Sequence, residues 1–294
     1  MDKAYMSTDI KDRLKKIEFL PTFPHIVGEV MNVIKDPKSS ASDLVKYLDP
    51  SLVGEVMKVA NCAYTGRRNF RRILTLEHAL AAIGYTGVSS IVLQTPFLSM
   101  IEKDDKLFDR KGFMRHSIAS GILARTVSTI FGIGNPDTVY VSAMLHDVGI
   151  IIIHQYFKEE SLEINALMEA DRLGRLEAEK AVFSTDHAGI GSALLEMWAI
   201  PEEIVESVRL HHSREEIGQK QNPYVTWLAN GLAKQIDFEK DFTDFHVFFE
   251  KQRDMLQSEM PEKYFLGHHL ELYETAFAQL KELERYLENS EGEQ

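Results

Sequence analysis

The chain has 294 residues, 44% hydrophobic and 27% charged, the balance of an ordinary soluble globular protein with one large core or two modest ones. Its formal net charge of -12 argues against extended, non-specific nucleic-acid binding and against attraction to anionic lipid. The single cysteine, Cys62, excludes an internal disulfide and a thiolate-rich zinc site, and suits a reducing compartment.

The opening MDKAYMSTDIKDRLKK is charged and lacks the apolar centre of a signal peptide. No run reaches the ~18 apolar residues that a membrane helix requires, so the expected location is the cytoplasm, away from membranes. Residues 1–100 read as short helices separated by polar turns such as Asp36-Pro37-Lys38-Ser39 and Thr65-Gly66-Arg67-Arg68-Asn69. Ser40 with Asp43 resembles a capping box built with the shorter carboxylate. Asp49-Pro50, Asn135-Pro136 and Ile200-Pro201 each place proline at a helix start, where a first-turn N–H lacks a partner anyway.

The charged stretch Glu102-Lys103-Asp104-Asp105-Lys106 marks the best internal boundary. It divides an N-terminal helical subdomain, residues 1–105, from a helical subdomain, residues 106–240, that holds the clustered histidines. Residues 241–294 form a charged C-terminal helical extension whose end, Asn289 to Gln294, is expected to be disordered. Two apolar β-branched runs, residues 88–93 and 148–153, fit strands by composition, but their helical neighbours favour helix. The expected fold class is all-α.

Histidine placement carries the chemistry. His187, Ile190, Gly191, Leu194, Leu195 and Trp198 fall at the spacing of one buried helical face, with the imidazole in the first turn. After Pro201, the positions Ile204, Val208, His211 and His212 repeat that spacing with the histidines in the last turn. His116 shares a face with Ala119, Ser120, Leu123 and Val127, small neighbours that leave room beside its ring. The doublet His146-Asp147 ends the apolar run from Val139 to Leu145. Adjacent helical positions diverge by ~100°, so both side chains reach one ion only if it lies between their faces. Gly149 offers backbone freedom just beyond.

A neutral imidazole offers one lone pair and a carboxylate offers charge compensation, which together make a borderline site for Fe, Mn or Zn. Five histidines and one aspartate exceed what one tetrahedral ion needs, and suit two ions, or one ion with outer partners. For any one histidine alone, a satisfied core or surface residue is the better reading; the set points to a metal. His25, His78, His154, His246, His268 and His269 show no comparable placement and read as surface or helix-end residues.

At these residues the chain resembles the HD superfamily, and more closely its HDOD branch (HD-related output domain), from about Leu20 to Gly231. Leu20-Pro21-Thr22-Phe23-Pro24 is similar to the family's opening motif; Asp49-Pro50-Ser51-Leu52, Val59-Ala60-Asn61-Cys62-Ala63 and Ala79-Leu80-Ala81-Ala82-Ile83-Gly84 resemble its next segments. Leu145-His146-Asp147-Val148-Gly149, Asp186-His187-Ala188-Gly189-Ile190-Gly191, Trp198-Ala199-Ile200-Pro201 and His211-His212 complete the order. Each piece is weak alone; the ordered series is specific.

The resemblance implies an HD-like helical bundle with an N-terminal helical subdomain, and a role in bacterial signal transduction as an output or interaction module. By motif, the metal-ligand roles of catalytic relatives, the HD-GYP phosphodiesterases, fall on His116, His146, Asp147, His187, His211 and His212. The chain departs from that catalytic pattern: Ile150 stands where a lysine is expected, Asn230 where a late aspartate is expected, and no GYP tripeptide exists. Losing an anionic ligand and a phosphate-side cation weakens metal bridging and phosphoryl-transfer catalysis.

Arg67, Arg68, Arg71 and Arg72 form the densest positive cluster, read here as a solvated turn pairing with the protein's own carboxylates, with nucleotide or acidic-partner docking as the alternative. In the tail, Leu270, Tyr273, Phe277, Leu280 and Leu287 fall at heptad-like intervals, expected to pack on the parent domain or pair two subunits. The leading expectation is a signalling module that acts through protein partners and holds one or two divalent transition-metal ions with absent or degenerate hydrolase activity. The alternative is a metal-dependent phosphohydrolase acting on a nucleotide or cyclic dinucleotide, with Asp147 bridging the ions or accepting a proton.

Overall fold

The computed structural model describes residues 10–17, 73–79, 105–170 and 172–236, together with positions 53, 54, 56, 57, 60, 61, 81, 101, 274, 276–278, 280 and 281. The motif segments 20–24 and 49–52, the apolar run 88–93, the arginine cluster at 67–72 and His25, His246, His268 and His269 lie outside these residues. Among the described residues all regular structure is helical, as the sequence predicts.

Among the described residues between 105 and 236, nine helices run in order: α1 Arg110–Phe131, α2 Pro136–Leu145, α3 Val148–Tyr156, α4 Lys158–Ala170, α5 Arg175–Phe183, α6 His187–Met197, α7 Glu202–Leu210, α8 Arg214–Ile217 and α9 Gln221–Lys234. The run 148–153, ambiguous by composition, is the buried body of α3. The ends follow local chemistry. The Asp109 carboxylate accepts the Gly112 N–H to start α1, and Gly132 closes it in the left-handed conformation with φ 62°. Asn135 accepts from the N–H groups of Asp137 and Thr138, with Pro136 in the first turn of α2. Asp186 accepts the Gly189 N–H to start α6. Pro201 is itself the cap of α7, so that helix begins one residue later than a first-turn proline implies.

Two apolar clusters hold the bundle. One joins α1, α2 and α9 through Leu123, Val127, Val139, Ala143, Leu228 and Leu232. Ala119, one of the small residues on the His116 face, packs in it too. Leu280 is fully buried in the same cluster, which ties the described part of the tail to the parent domain. The other cluster joins α3 to α7 through residues such as Ile152, Ile164, Leu194 and Val205, and Leu14, Val56, Ala60 and Leu76 belong to it. Each fully buried leucine contributes about 1.5–3 kcal/mol by leaving water.

Polar contacts reinforce the N-terminal residues on this core. Arg13 pairs with Glu160, and its guanidinium lies 4.7 Å from the Phe157 ring centroid. The Asn61 amide donates to the carbonyls of Met57 (2.8 Å) and Ile73 (2.9 Å) and accepts from the Ile73 N–H (2.8 Å). One stretch, Pro136–Tyr156, is long and apolar enough to cross a membrane by length and composition. It spans α2 and α3, breaks at His146-Asp147 and is 67% buried, so its apolarity is that of a bundle interior.

Candidate metal centre

The break between α2 and α3 creates the centre. His146 caps the C-terminus of α2 and Asp147 precedes α3 with φ -96° and ψ 7°, so the chain turns at the doublet instead of continuing as one helix. The turn swings two adjacent side chains onto a shared point, which an unbroken helix would hold ~100° apart. Oδ2 of Asp147 lies 3.1 Å from Nε2 of His146.

Gly149 has a different role from the backbone freedom expected of it. A Cβ there would lie 2.0 Å from the His187 carbonyl oxygen and 2.9 Å from the Gly191 nitrogen. Glycine therefore lets α3 and α6 cross in near backbone contact, bringing Asp147 and His187 together. Their side chains meet at 3.2 Å, Oδ1 to Nε2.

All six residues expected to form the site converge. His116 comes from the second turn of α1, His187 from the first turn of α6, His211 from the C-cap of α7 and His212 from the turn that follows. They divide around the two oxygens of Asp147. Oδ2 faces His146 and His116, the latter at 3.5 Å, and Oδ1 faces His187 and His211, the latter at 3.5 Å. His212 Nε2 lies 2.9 Å from His187 Nε2, and His116 Nε2 lies 3.1 Å from His146 Nε2. Two groups therefore have the ligand atoms of a metal site, each within 4.8 Å of one another: His116, His146 and Asp147, and Asp147, His187, His211 and His212.

Whether imidazoles fit a metal depends on which nitrogen carries the proton. Nδ1–H of His146 donates to the Ala143 carbonyl and Nδ1–H of His211 to the Val208 carbonyl, both at 2.6 Å. Nδ1–H of His187 donates to the Glu179 carboxylate, also at 2.6 Å. These bonds turn three Nε2 atoms toward Asp147, the arrangement that outer partners impose on metal-ligating histidines. His211 Nε2 is buried without a hydrogen-bond partner, too far from Asp147 for a good one. The donor set thus fits a cation, and a buried orphan nitrogen awaits one.

Charge in the cluster follows from burial and proximity. Burial pushes His116 down to about 4, with the neighbouring His146 acting the same way. Burial also lowers His146 and His211 against the pull of Asp147, and lowers His212 with help from His211. These four rings are neutral near pH 7 and offer lone pairs. Burial opposes charge on Asp147, but the neighbouring His146, the approach of His187 at 3.2 Å and the proximity of His211 hold its carboxyl well below the usual range. Burial likewise opposes charge on His187, yet hydrogen bonds to Asp147 and Glu179 raise it to about 9. In the metal-free protein one imidazolium therefore sits between two carboxylates, where a metal ion would otherwise supply the positive charge.

Two contributors, Glu179 and His154, were not legible in the sequence as site residues, and a third, Asn230, was noted there only in place of an expected aspartate. Glu179 on α5 is fully buried and accepts both the Nδ1–H and the backbone N–H of His187. It lies in the charged run Arg175-Leu176-Glu177-Ala178-Glu179-Lys180, which reads as a solvated face. His154, read as a surface or helix-end residue, does occupy the last turn of α3, but its side chain is only 13% exposed and lies 2.7 Å from Asp105. Asn230, noted as a departure from the catalytic pattern, is buried with Oδ1 3.1 Å from His116 Nε2. His78 is exposed, as expected.

A cavity of ≈ 260 Å³ opens beside the cluster, with His116 and Asp147 in its wall; Phe108, Phe113, Ile150 and Arg175 also line it. Ile150 brings an aliphatic side chain to the wall where the catalytic pattern would place a cation.

Comparison with known proteins agrees with this fold. The structure superimposes on an HDOD domain protein of unknown function from Geobacter sulfurreducens with a TM-score of 0.68 and 23% identity, covering 87% of this chain and 90% of that one. A proposed phosphohydrolase from Shewanella amazonensis SB2B gives a TM-score of 0.68 at 19% identity, covering 96% and 98%. A proposed signal transduction protein from Marinobacter aquaeolei VT8 gives 0.66 at 14% identity, covering 96% and 66%. An uncharacterized protein of Treponema pallidum (strain Nichols) is 22% identical over 230 residues, 76% of this chain; the chain spans 43% of that relative's length. The HDOD domain model matches residues 20–214, well over half of the sequence, and the chain belongs to the HDOD domain family.

Proposed function

We propose that this protein is a cytoplasmic bacterial signalling module that acts through protein partners and holds one or two divalent transition-metal ions without efficient turnover. His187, His211, His212 and Oδ1 of Asp147 would hold one ion, and His116, His146 and Oδ2 of Asp147 the other. Fe, Mn and Zn all suit imidazole and carboxylate donors. When bound, such ions supply Lewis acidity and a hydroxide-like water near neutral pH.

The observation that carries the non-catalytic reading is Asn230. Its amide stands 3.1 Å from His116, at the edge of the ligand set that has one carboxylate and two neutral rings. An amide adds no negative charge there, so that half of the centre is short of the anionic ligand that bridged two-metal hydrolases use. The apolar Ile150 in the cavity wall acts in the same direction, because it offers nothing to a transferring phosphoryl group. The division into an N-terminal helical subdomain (1–105), an HD-like subdomain (106–240) and a helical extension (241–294) belongs to the same reading.

A second reading, a metal-dependent phosphohydrolase acting on a nucleotide or cyclic dinucleotide, draws support from the two-sided placement of ligands about Asp147 and from the adjoining cavity. In that case the chain's part is to orient substrate, with Asp147 bridging the ions or accepting a proton. Elemental analysis of metal-replete protein, followed by assay of cyclic dinucleotides and simple phosphodiesters, separates the two. Metal near one ion per chain or above with no turnover supports the module. Turnover lost in both His146→Ala and Asp147→Ala establishes the hydrolase.

A further inference from the structure

Access to the centre is uneven. His146 and His211 are fully buried, whereas the side chains of Asp147 and His116 are 11% and 21% exposed, and both line the cavity. His212, in the other ligand group, is half-buried. The cavity is therefore a way by which an ion or a competing ligand reaches the group of His116, His146 and Asp147.

Residues 105–109 run along this cavity as a strap that leads into α1, with Leu107, Phe108 and Asp109 in the lining. The strap is a turn, folded by the Leu107 N–H donating to the Asp105 carboxylate at 2.8 Å. One end is fixed, because Asp109 caps α1. At the other end, Nε2–H of His154, in the last turn of α3, donates to Oδ2 of Asp105 at 2.7 Å. That bond, with the Leu107 N–H, holds the Asp105 carboxyl below its usual value, so the acceptor is charged near pH 7. Phe108 rests between the ends, its ring centroid 5.0 Å from His154 and 5.6 Å from Phe113. Leu107 is 70% exposed and adds little apolar hold. A segment held by one ring and one polar tie opens locally at a fraction of the cost of global unfolding.

We infer that residues 105–109 are a gate over the His116 side of the centre, latched by Asp105 and His154, that sets how fast an ion there enters and leaves. The inference rests on the metal reading above and adds its regulation. Neither Asp105 nor His154 belongs to a ligand group, so releasing the latch changes the rates of exchange and leaves the ligands in place. Entry and exit then accelerate together, and affinity is conserved.

The test is stopped-flow release of zinc from the zinc-loaded full chain to excess chromogenic chelator, with uptake rate and equilibrium affinity measured alongside. The relevant phase is the one that His116→Ala removes. Asp105→Ala deletes the acceptor, and His154→Phe deletes the donor while keeping a ring against Phe108. Each should speed that phase roughly 3- to 30-fold, between the worth of an exposed ion pair and that of a buried hydrogen bond to a charged group. Uptake should accelerate by the same factor, with affinity unchanged. The double variant should be no faster than either single, since both cut one bond. Trypsin cleavage after the exposed Lys106 of metal-free protein should also quicken in both variants, because that bond lies in the strap. Bound zinc released at the wild-type rate by both variants overturns the gate. So does weaker affinity with unchanged uptake, which marks damage to the site, and so does release with no phase that depends on His116. A chain that takes up no zinc overturns the metal reading itself, and the gate with it.

Discussion

Glu179 accepts the Nδ1–H of His187 at 2.6 Å, and no side chain on this α5–α6 connection is more deeply buried. The carboxylate fixes the ring's tautomer and orientation, so that Nε2 faces Asp147. Glu179→Gln keeps an acceptor of nearly the same shape and removes the charge. Affinity for a divalent metal should then fall about 10- to 100-fold, the usual cost of losing an outer partner. Chelator competition reads this directly, and unchanged affinity would show that Glu179 serves folding alone.

Proton and metal compete at His187. Its folded-state pKa of about 9 exceeds the ordinary 6.5, so its contribution to the stability of the metal-free protein is fully present below pH 6.5 and is lost as pH rises through about 9. Asp147 has the opposite sign: its depressed pKa stabilises the fold above the usual carboxylate range, and that contribution disappears only as pH falls below it. Metal binding must expel the His187 proton. Affinity for the ion on the His187 side should therefore rise with pH up to about 9, with close to one proton released as that ion binds near pH 7. Calorimetry in buffers of different ionisation enthalpy counts that proton.

The crossing of α3 and α6 depends on Gly149. A Cβ added there meets backbone at 2.0 Å, which no rotamer change relieves. Gly149→Ala should cost about 1–3 kcal/mol or more by forcing the helices apart. Its urea midpoint should drop, and metal affinity with it, because Asp147 and His187 separate. Gly132→Ala, at φ 62° with open space around it, should lower stability through backbone strain and leave metal affinity intact.

Asn230→Asp restores a carboxylate 3.1 Å from His116. The variant should raise the metal content of the half formed by His116, His146 and Asp147, seen as an increase in ions per chain on elemental analysis. If stoichiometry is unchanged, the neutral amide is not what limits that half.

The His/Asp cluster was legible because histidines at apolar helical positions stand out from the stripe around them. His187, His211 and His116 each interrupt a stripe that packing would otherwise fill with leucine or valine. What remained hidden depends on three-dimensional approach. Gly149 reads as a flexible point in one dimension, and only the crossing with Gly191 shows it as a contact point. Glu179 sits among exposed charges in sequence and is buried only because α5 packs against α4, placing it beneath His187. His154 shares the last turn of α3 with polar neighbours, and its burial comes from Asp105 and Phe108 reaching it from before α1. The helical class was evident from periodicity; the doublet was seen to end the apolar run from Val139 to Leu145, but the turn between two helices that brings His146 and Asp147 to one point was not, because it depends on backbone angles.

Diffraction from crystals of metal-replete protein, collected at the absorption edge of the bound metal, tests the account most directly. The expected result is an anomalous peak bonded to Nε2 of His187 and His211 and to Oδ1 of Asp147, at roughly 2.0–2.2 Å. A fully loaded crystal with no peak inside the ring of six side chains, or with its metal elsewhere on the surface, would contradict it.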